Sequence, residues 1–379
     1  MSKNVDATTL PPGPAMRAML QRIATGPDLS KPLNEAEAEF GMRLILNGEC
    51  DPVQAGIFLI ALRMKRETPA ENRGVLSAIR KATRTATVAV DDLVDLADPY
   101  NGYVRTLPSA PFLPAVLSAC GVPCASHGVF SMGPKFGATH AQVLAAAGID
   151  TNLDPQQAAT QVAGAAGWAY VDQSVFCPEL ANLQALRTCI VKRPVITTVE
   201  VLARPLIAAG RSHLVTGYVH KPYPPVYTML ARHVGLDSCL LLRGTEGGVV
   251  PSLRQSGRAV FYHGAGEDIE LNLEPEALGI QQILRAAQIP EDVLTSGADD
   301  DLPDGPDFSV SAMARAAADA GLAALSSAPG PIRDGLIYSG ALVLQHVRGV
   351  AAADAAMDVR RVLDDGTAKM RFEDAARIA

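Results

Sequence analysis

A chain of 379 residues with 48% hydrophobic and 19% charged residues can bury a large core in one big domain plus a smaller one, and its composition is neither disordered nor fibrous. A net charge of −7 argues against a whole surface given to nucleic acid or anionic membrane, because such partners are held mainly by neutralising cations, although a local basic patch stays open. The longest apolar stretches, Ile57 to Leu62 and Gly340 to Leu344, are far too short to cross a bilayer and the N-terminus has no signal-peptide core, so no membrane partner and a cytoplasmic location are expected.

The first thirty residues, rich in Pro, Gly and polar side chains, read as a flexible arm. Helix punctuation then becomes clear. Asn34 with Glu37 forms a capping box, and Asn47-Gly48 ends that helix. Asp51-Pro52 opens a second helix, and Thr68-Pro69 with Glu71 opens a third that reaches about Thr85. After Thr87 short apolar runs alternate with Ala-rich helical ones: Leu93 to Leu96, Val122 to Ser126, Trp168 to Val171, Leu214 to Val219, Ser238 to Leu242 and Ala259 to Tyr262. Such alternation predicts parallel strands joined by helical crossovers and covered on both faces. Asp154-Pro155 caps a further helix. The segment from Phe176 to Pro205 is helical by composition and interrupts the strands, and an acidic Pro/Gly loop from Asp300 to Pro306 precedes two final helices. The expected organisation is an α/β protein: an arm at 1–30, a small helical domain from 31–88 and 176–207, and a large α/β domain from 89–175 and 208–379. The six cysteines, Cys50, Cys120, Cys124, Cys177, Cys189 and Cys239, form no Cys-x-x-Cys pair and read as reduced thiols, mostly packing.

Several segments carry a resemblance. They are Asn47-Gly48-Glu49, Gln54-Ala55-Gly56, Ala61-Leu62-Arg63-Met64-Lys65, Ala119-Cys120-Gly121-Val122, His127-Gly128, Lys135 with Gly137, and Gly330-Pro331-Ile332-Arg333-Asp334. Together, over roughly Leu33 to Ala376, the chain resembles the anthranilate phosphoribosyltransferase-like members of glycosyltransferase family 3. The resemblance implies the nucleoside phosphorylase and phosphoribosyltransferase class III architecture, a homodimer formed through the helical domain, and substrates held between the two domains.

Against that family's pattern three losses stand out. The Gly-Thr-Gly-Gly-Asp loop that lends backbone N–H groups to phosphoribosyl pyrophosphate is replaced by Ala97-Asp98-Pro99-Tyr100-Asn101-Gly102-Tyr103, where Pro99 has no N–H and Asp98 adds negative charge. The Asn-Arg of the His-Gly-Asn-Arg segment becomes Val129-Phe130, removing a phosphate-seeking guanidinium. The Asp-Glu pair for magnesium falls on Gly248-Val249, leaving Glu246 as one carboxylate near a two-residue site. Magnesium therefore stays open as a cofactor without its usual acidic pair. The combination of Tyr100-Asn101-Gly102, His127-Gly128-Val129, Phe176-Cys177-Pro178 and Gly244-Thr245-Glu246-Gly247 resembles a divergent paralogue group lacking the substrate loop, some of whose members are associated with nucleic-acid binding.

On the resemblance, the candidate substrate or anion site comprises Asn101, Gly102, Arg105, His127, Gly128, Lys135, Gly137, Thr139 and Arg187, with no catalytic residue identified. Each has a plainer reading. Arg187 either grips a substrate carboxylate bidentately or is a helix-surface arginine. Lys135 and Thr139 either hold an anion at a strand-to-helix loop or cap an ordinary helix. Arg105 either restores positive charge or is solvated, and His127 either binds substrate or is a core histidine. The close run Arg63, Lys65, Arg66, Arg73, Arg80, Lys81 and Arg84, opposed by Glu67 and Glu71 and joined by Lys192 and Arg193, reads as a nucleic-acid face or as a solvated helix surface. With 5% aromatic residues, base stacking would be minor. Two functions follow: a glycosyltransferase, phosphoribosyltransferase-like but not an efficient anthranilate phosphoribosyltransferase, taking a sugar phosphate or other small anion; or a non-catalytic nucleic-acid binder.

Overall fold

The computed structural model describes residues 6–26, 28–302 and 304–377. The chain divides into one unit formed by Met1–Arg84 with Cys177–Arg204 and a larger one formed by Thr85–Phe176 with Pro205–Ala379.

The smaller unit is helical. Its first four helices are α1 (Pro12–Ile23), α2 (Glu35–Leu46), α3 (Pro52–Lys65) and α4 (Pro69–Ala82). Reciprocal capping boxes at Asn34/Glu37 and Thr68/Glu71 start α2 and α4, and the Asp51 carboxylate accepts the N–H groups of Val53 and Gln54 to start α3. The presence of α1 corrects the expected flexible arm, whose first five residues lie outside the described ones. Its prolines fall in the first turn, where no intrahelical N–H is needed, and Ala15, Met16, Met19 and Ile23 share a face that is buried. Helices Gln184–Ile190 and Ile196–Val199 pack on α3 and α4 respectively.

The larger unit is built on strands β1 (Ala86–Val88), β2 (Asp92–Ala97), β3 (Cys124–Gly128), β4 (Trp168–Asp172), β5 (Leu206–Ala208), β6 (Arg211–Gly217), β7 (Ser238–Leu242), β8 (Gly257–His263) and β9 (Ile269–Leu273). β1 and β5 pair parallel with each other, which takes residues 85–88 and 205–207 out of the helical unit to which the sequence had assigned them. The main sheet has the order β4-β3-β2-β6-β7-β8-β9. β2, β3, β4, β6 and β7 run parallel and are buried almost throughout, as a sheet covered on both faces requires.

β8 and β9 are antiparallel, which corrects the all-parallel expectation. The stretch between β7 and β8 contains only a short turn at Thr245–Gly247 and no crossover helix, so the chain returns antiparallel. Four helices rather than two close the chain: Val310–Leu325, Pro331–Arg348, Ala352–Asp364 and Thr367–Ala376. Gly349 and Gly366, both left-handed, make the additional breaks.

Strand order reverses direction between β2 and β6. In open α/β sheets the loops at the carboxyl ends of strands flanking such a switch form the ligand-binding crevice. The loops at 98–106, 218–223 and 243–250, which follow β2, β6 and β7, are therefore the ones to read chemically.

Candidate functional site

Two loops of the larger unit are zipped together first. Tyr103 and Ala138 exchange backbone hydrogen bonds of 2.9 and 2.8 Å, and the Gly137 N–H donates to the Asn101 carbonyl at 3.0 Å. Glycine is required at this crossing. A Cβ on Gly102, whose φ is +69°, would lie 2.3 Å from the Gly137 carbonyl oxygen, and one on Gly137 would lie 2.3 Å from that of Tyr103. Gly102 and Gly137, expected to bare backbone to a phosphate, instead bring two chain segments into contact.

Asp98 does not point its charge toward a ligand. Buried, its carboxylate accepts from the Tyr103 hydroxyl at 2.6 Å, His140 Nε2 at 2.9 Å and the Val249 N–H at 3.0 Å, tying the loop after β2 to the turn after β7. Burial and the neighbouring Asp98 charge push the Tyr103 phenol well above its ordinary range, so it remains a donor.

Glu246 occupies the centre of the arrangement. Its Oε1 accepts from the Arg105 N–H at 2.9 Å and the Thr106 hydroxyl at 3.1 Å. Its Oε2 accepts from the Val104 N–H at 3.2 Å and faces the Lys135 ammonium at 2.8 Å. A carboxylate has about four acceptor sites, and four donors fill them. Lys135 also donates to the Gly102 carbonyl at 2.7 Å. Consecutive N–H groups, a hydroxyl and an ammonium converging on two oxygens make an anion cradle, and the chain's own carboxylate lies in it. Glu246 is carried there on the turn Gly244-Thr245-Glu246-Gly247-Gly248 with a left-handed backbone, φ 53° and ψ 13°.

These contacts decide the fit of magnesium. Glu246, the weak metal candidate, has no acceptor site to spare, and the buried Asp98 is held by three donors of its own chain. At Gly248, where the family carries an acidic residue, a Cβ would lie 1.7 Å from the Tyr103 hydroxyl oxygen and 2.9 Å from Asp98 Oδ1. No group of three or more His, Cys, Asp or Glu suited to a metal exists among the described residues. The residues present do not fit the ion.

The remaining candidates separate. His127 is a core histidine, held between the Tyr100 hydroxyl at Nδ1 and Asp95 Oδ1, 2.9 Å from Nε2, with Phe176 edge-on to its ring. Gly128 ends β3 with the Tyr170 hydroxyl 3.2 Å from where its Cβ would stand. Thr139 caps helix His140–Ala146, accepting from the Gln142 N–H and donating to the Phe130 carbonyl at 2.9 Å. The Arg105 side chain is exposed while its backbone serves the cradle.

In the helical unit Arg187 does bind a carboxylate bidentately, but that of Glu200, at 2.7 Å for both bonds and with both side chains almost wholly buried. Within the basic run, Lys65 pairs with Glu71 at 2.5 Å, Arg63 with Glu67 at 3.7 Å, Arg73 with Glu35 at 2.7 Å and Lys81 with Glu39. Arg80 turns to the carbonyls of Ala203 and Arg204. Arg66, Arg84, Lys192 and Arg193 are exposed.

Sequence reasoning missed the Val104 N–H and the Thr106 hydroxyl as cradle donors, and it read Glu246 as a weak metal candidate. The signal for the alternative was present: a lone acidic residue in a Gly-rich turn, without its acidic partner, leaves a lysine and an anion cradle uncompensated.

Comparison with known proteins gives the setting. A model of the "Glycosyl transferase family, helical bundle domain" matches residues 17–83, and one of the "Glycosyl transferase family, a/b domain" matches residues 110–290. An uncharacterized protein of Aquifex aeolicus is 30% identical over 249 residues, covering 66% of this chain and 73% of the relative. An anthranilate phosphoribosyltransferase of Rhodopseudomonas palustris (strain BisA53) is 26% identical over 94% of this chain and 96% of its own. Among solved structures, the Saccharomyces cerevisiae anthranilate phosphoribosyltransferase in complex with PRPP and Mg shares the fold with a TM-score of 0.73 at 14% identity, covering 99% of this chain and 98% of that one. No helix among the described residues is long and apolar enough to cross a membrane. With a helical bundle, an α/β unit and relatives of this kind, the chain belongs to the glycosyl transferase family of anthranilate phosphoribosyltransferase-like proteins.

Proposed function

We propose that this protein is a phosphoribosyltransferase-like transferase for a phosphorylated or pentosyl substrate whose anion cradle is held closed by Glu246, and that it is not an efficient anthranilate phosphoribosyltransferase. One observation carries the reading: three donors from the loop after β2 and the Lys135 ammonium from the loop after β3 converge on a single carboxylate. Donors so arranged would receive the anionic end of a substrate when Glu246 withdraws. In pentosyl transfer the protein's work is to position the reactants and to stabilise the departing anion beside an oxocarbenium-like centre, which Lys135 and the Val104–Thr106 segment are equipped to do. No step is assigned to magnesium, whose site the residues do not fit.

The proposal includes a homodimer through the helical unit, supported by Val53, Ile57 and Met64, which are exposed along one side of α3. Nucleic-acid binding is the less favoured alternative, because five members of the basic run are taken by carboxylates or by backbone carbonyls. Calorimetric titration with phosphoribosyl pyrophosphate, with and without magnesium, tests the reading. Weak, saturable, magnesium-indifferent binding with a component lost in Lys135→Ala is expected, with anthranilate turnover far below that of an active relative assayed alongside. Magnesium-dependent binding with brisk anthranilate turnover would overturn it. So would absence of sugar-phosphate binding together with salt-sensitive binding of a single-stranded oligonucleotide weakened in Arg84→Ala and Lys192→Ala.

A further inference from the structure

A second concave region of the larger unit lies apart from the residues of the cradle. It is a cavity of about 350 Å³ at the carboxyl ends of β6 and β7, with β8, β9 and the start of helix Pro224–His233 as its other walls. That volume falls in the range of small-molecule sites. Its lining is chemically lopsided. The Lys221 and Arg243 side chains enter no hydrogen bond or ion pair among the described residues, and Arg258 reaches Glu270 only at 3.5 Å across an exposed surface. The other acid, Asp268, is neutralised from behind by Arg232 at 2.8 Å and accepts from the Thr228 hydroxyl at 2.6 Å. Two uncommitted cations are left facing the space.

Tyr218 supplies an independent sign. It is 7% exposed, lines the cavity, and its hydroxyl has no hydrogen-bond partner among the described residues. Its ring is packed while its hydroxyl stays open to the cavity, so beside two free cations it is a donor placed for an acceptor that enters the space. Burial raises its pKa, so the hydroxyl keeps its proton and donates. Pro224, Pro225 and Val260 add apolar wall.

We infer that this cavity binds a small phosphate monoester, its dianionic head between Lys221 and Arg243 with the Tyr218 hydroxyl donating to one oxygen, and its organic body against Pro224, Pro225 and Val260. A dianion matches two free positive charges, whereas a monocarboxylate leaves one unanswered. The site is distinct from the Glu246 cradle and shares no residue with it.

The test is calorimetric titration of the full chain with phenyl phosphate, inorganic phosphate and benzoate. Phenyl phosphate should bind saturably and more tightly than either of the others. Arg243→Ala and Lys221→Ala, both at exposed positions, should each weaken it roughly tenfold. Tyr218→Phe, which keeps the ring and its packing, should weaken it roughly threefold, and Lys135→Ala should leave it unchanged. Absence of saturable binding, equal binding of benzoate, or binding lost in Lys135→Ala but intact in Arg243→Ala would each overturn the inference. The last result would move the anion to the cradle while leaving the proposed transferase reading untouched.

Discussion

Arg187 and Lys135 were singled out for the same reason, as cations that could hold an anionic substrate, and each ends on a carboxylate of its own chain. The two pairs are nevertheless built differently. Arg187 and Glu200 meet through two parallel 2.7 Å bonds, with side chains 2% and 1% exposed, within the helical unit. Lys135 and Glu246 make one 2.8 Å contact at 18% and 6% exposure, and Glu246 rides a glycine-flanked turn in a left-handed conformation. Bidentate geometry and complete burial make the first pair part of the core. In the second pair the remaining acceptor sites of the carboxylate are filled by backbone N–H groups and a hydroxyl that any small anion could use. The same pairing of charges is architecture in one region and, on the proposed reading, an occupied site in the other.

That contrast can be broken most sharply at Arg187. Arg187→Ala removes a bidentate guanidinium from the buried Glu200 carboxylate and should cost about 3–5 kcal/mol of stability, read as a fall in the urea midpoint. Adding Glu200→Leu to Arg187→Met should recover most of the loss, because a well-packed apolar pair often replaces a buried ion pair without penalty. A loss no larger than that of a surface arginine would erase the distinction.

Acid probes a third buried system, at the opposite end of the parallel strands. Ser238 Oγ lies 2.7 Å from both His213 Nδ1 and His346 Nε2, His213 Nε2 reaches Asp92 at 2.8 Å, and His263 stacks on His346. Burial first, and then the nearby His263 and His213, lower the His346 pKa from 6.5 to about 3. A histidine depressed in the folded state contributes no pH dependence above about pH 6.5. As pH falls below that value the unfolded chain takes up a proton that the folded chain refuses, so stability declines down to about pH 3. The slope should approach about 1.4 kcal/mol per pH unit, or about 2 kcal/mol between pH 6.5 and 5, and His346→Gln should flatten it in urea titrations at several pH values. An unchanged slope in that variant would place the acid response elsewhere.

The helical punctuation was legible because caps are local: Asn34, Asp51, Thr68, Asp154 and Thr139 each satisfy N–H groups two or three residues away. The helix α1 was obscured by its prolines, although Met16, Met19 and Ile23 carried the right spacing. β9 could have been read from the alternation in Ile269-Glu270-Leu271-Asn272-Leu273, a half-exposed strand signal overlooked beside the continuous apolar runs of the parallel strands. At the site, Lys135, Arg105 and Glu246 were legible as residues, but their relation was not. Contacts that join residue 246 to residues 104–106 and 135 depend on register and loop path, and no local pattern encodes them. Asp98 was misread for the same reason, since its three donors come from residues 103, 140 and 249.

The cradle is where the proposed function is tested most directly. Titrating inorganic phosphate by calorimetry into Glu246→Ala, in an Arg243→Ala background that weakens the second cavity, measures the cradle with little contribution from that cavity. Removal of the internal carboxylate should cost only about 1 kcal/mol of stability, since four hydrogen-bonded contacts are lost but their donors regain water. Phosphate affinity should rise at least roughly tenfold over the Arg243→Ala parent and should vanish when Lys135→Ala is added. Equal phosphate affinity with and without the Glu246 carboxylate would contradict the claim that this side chain holds an anion site closed.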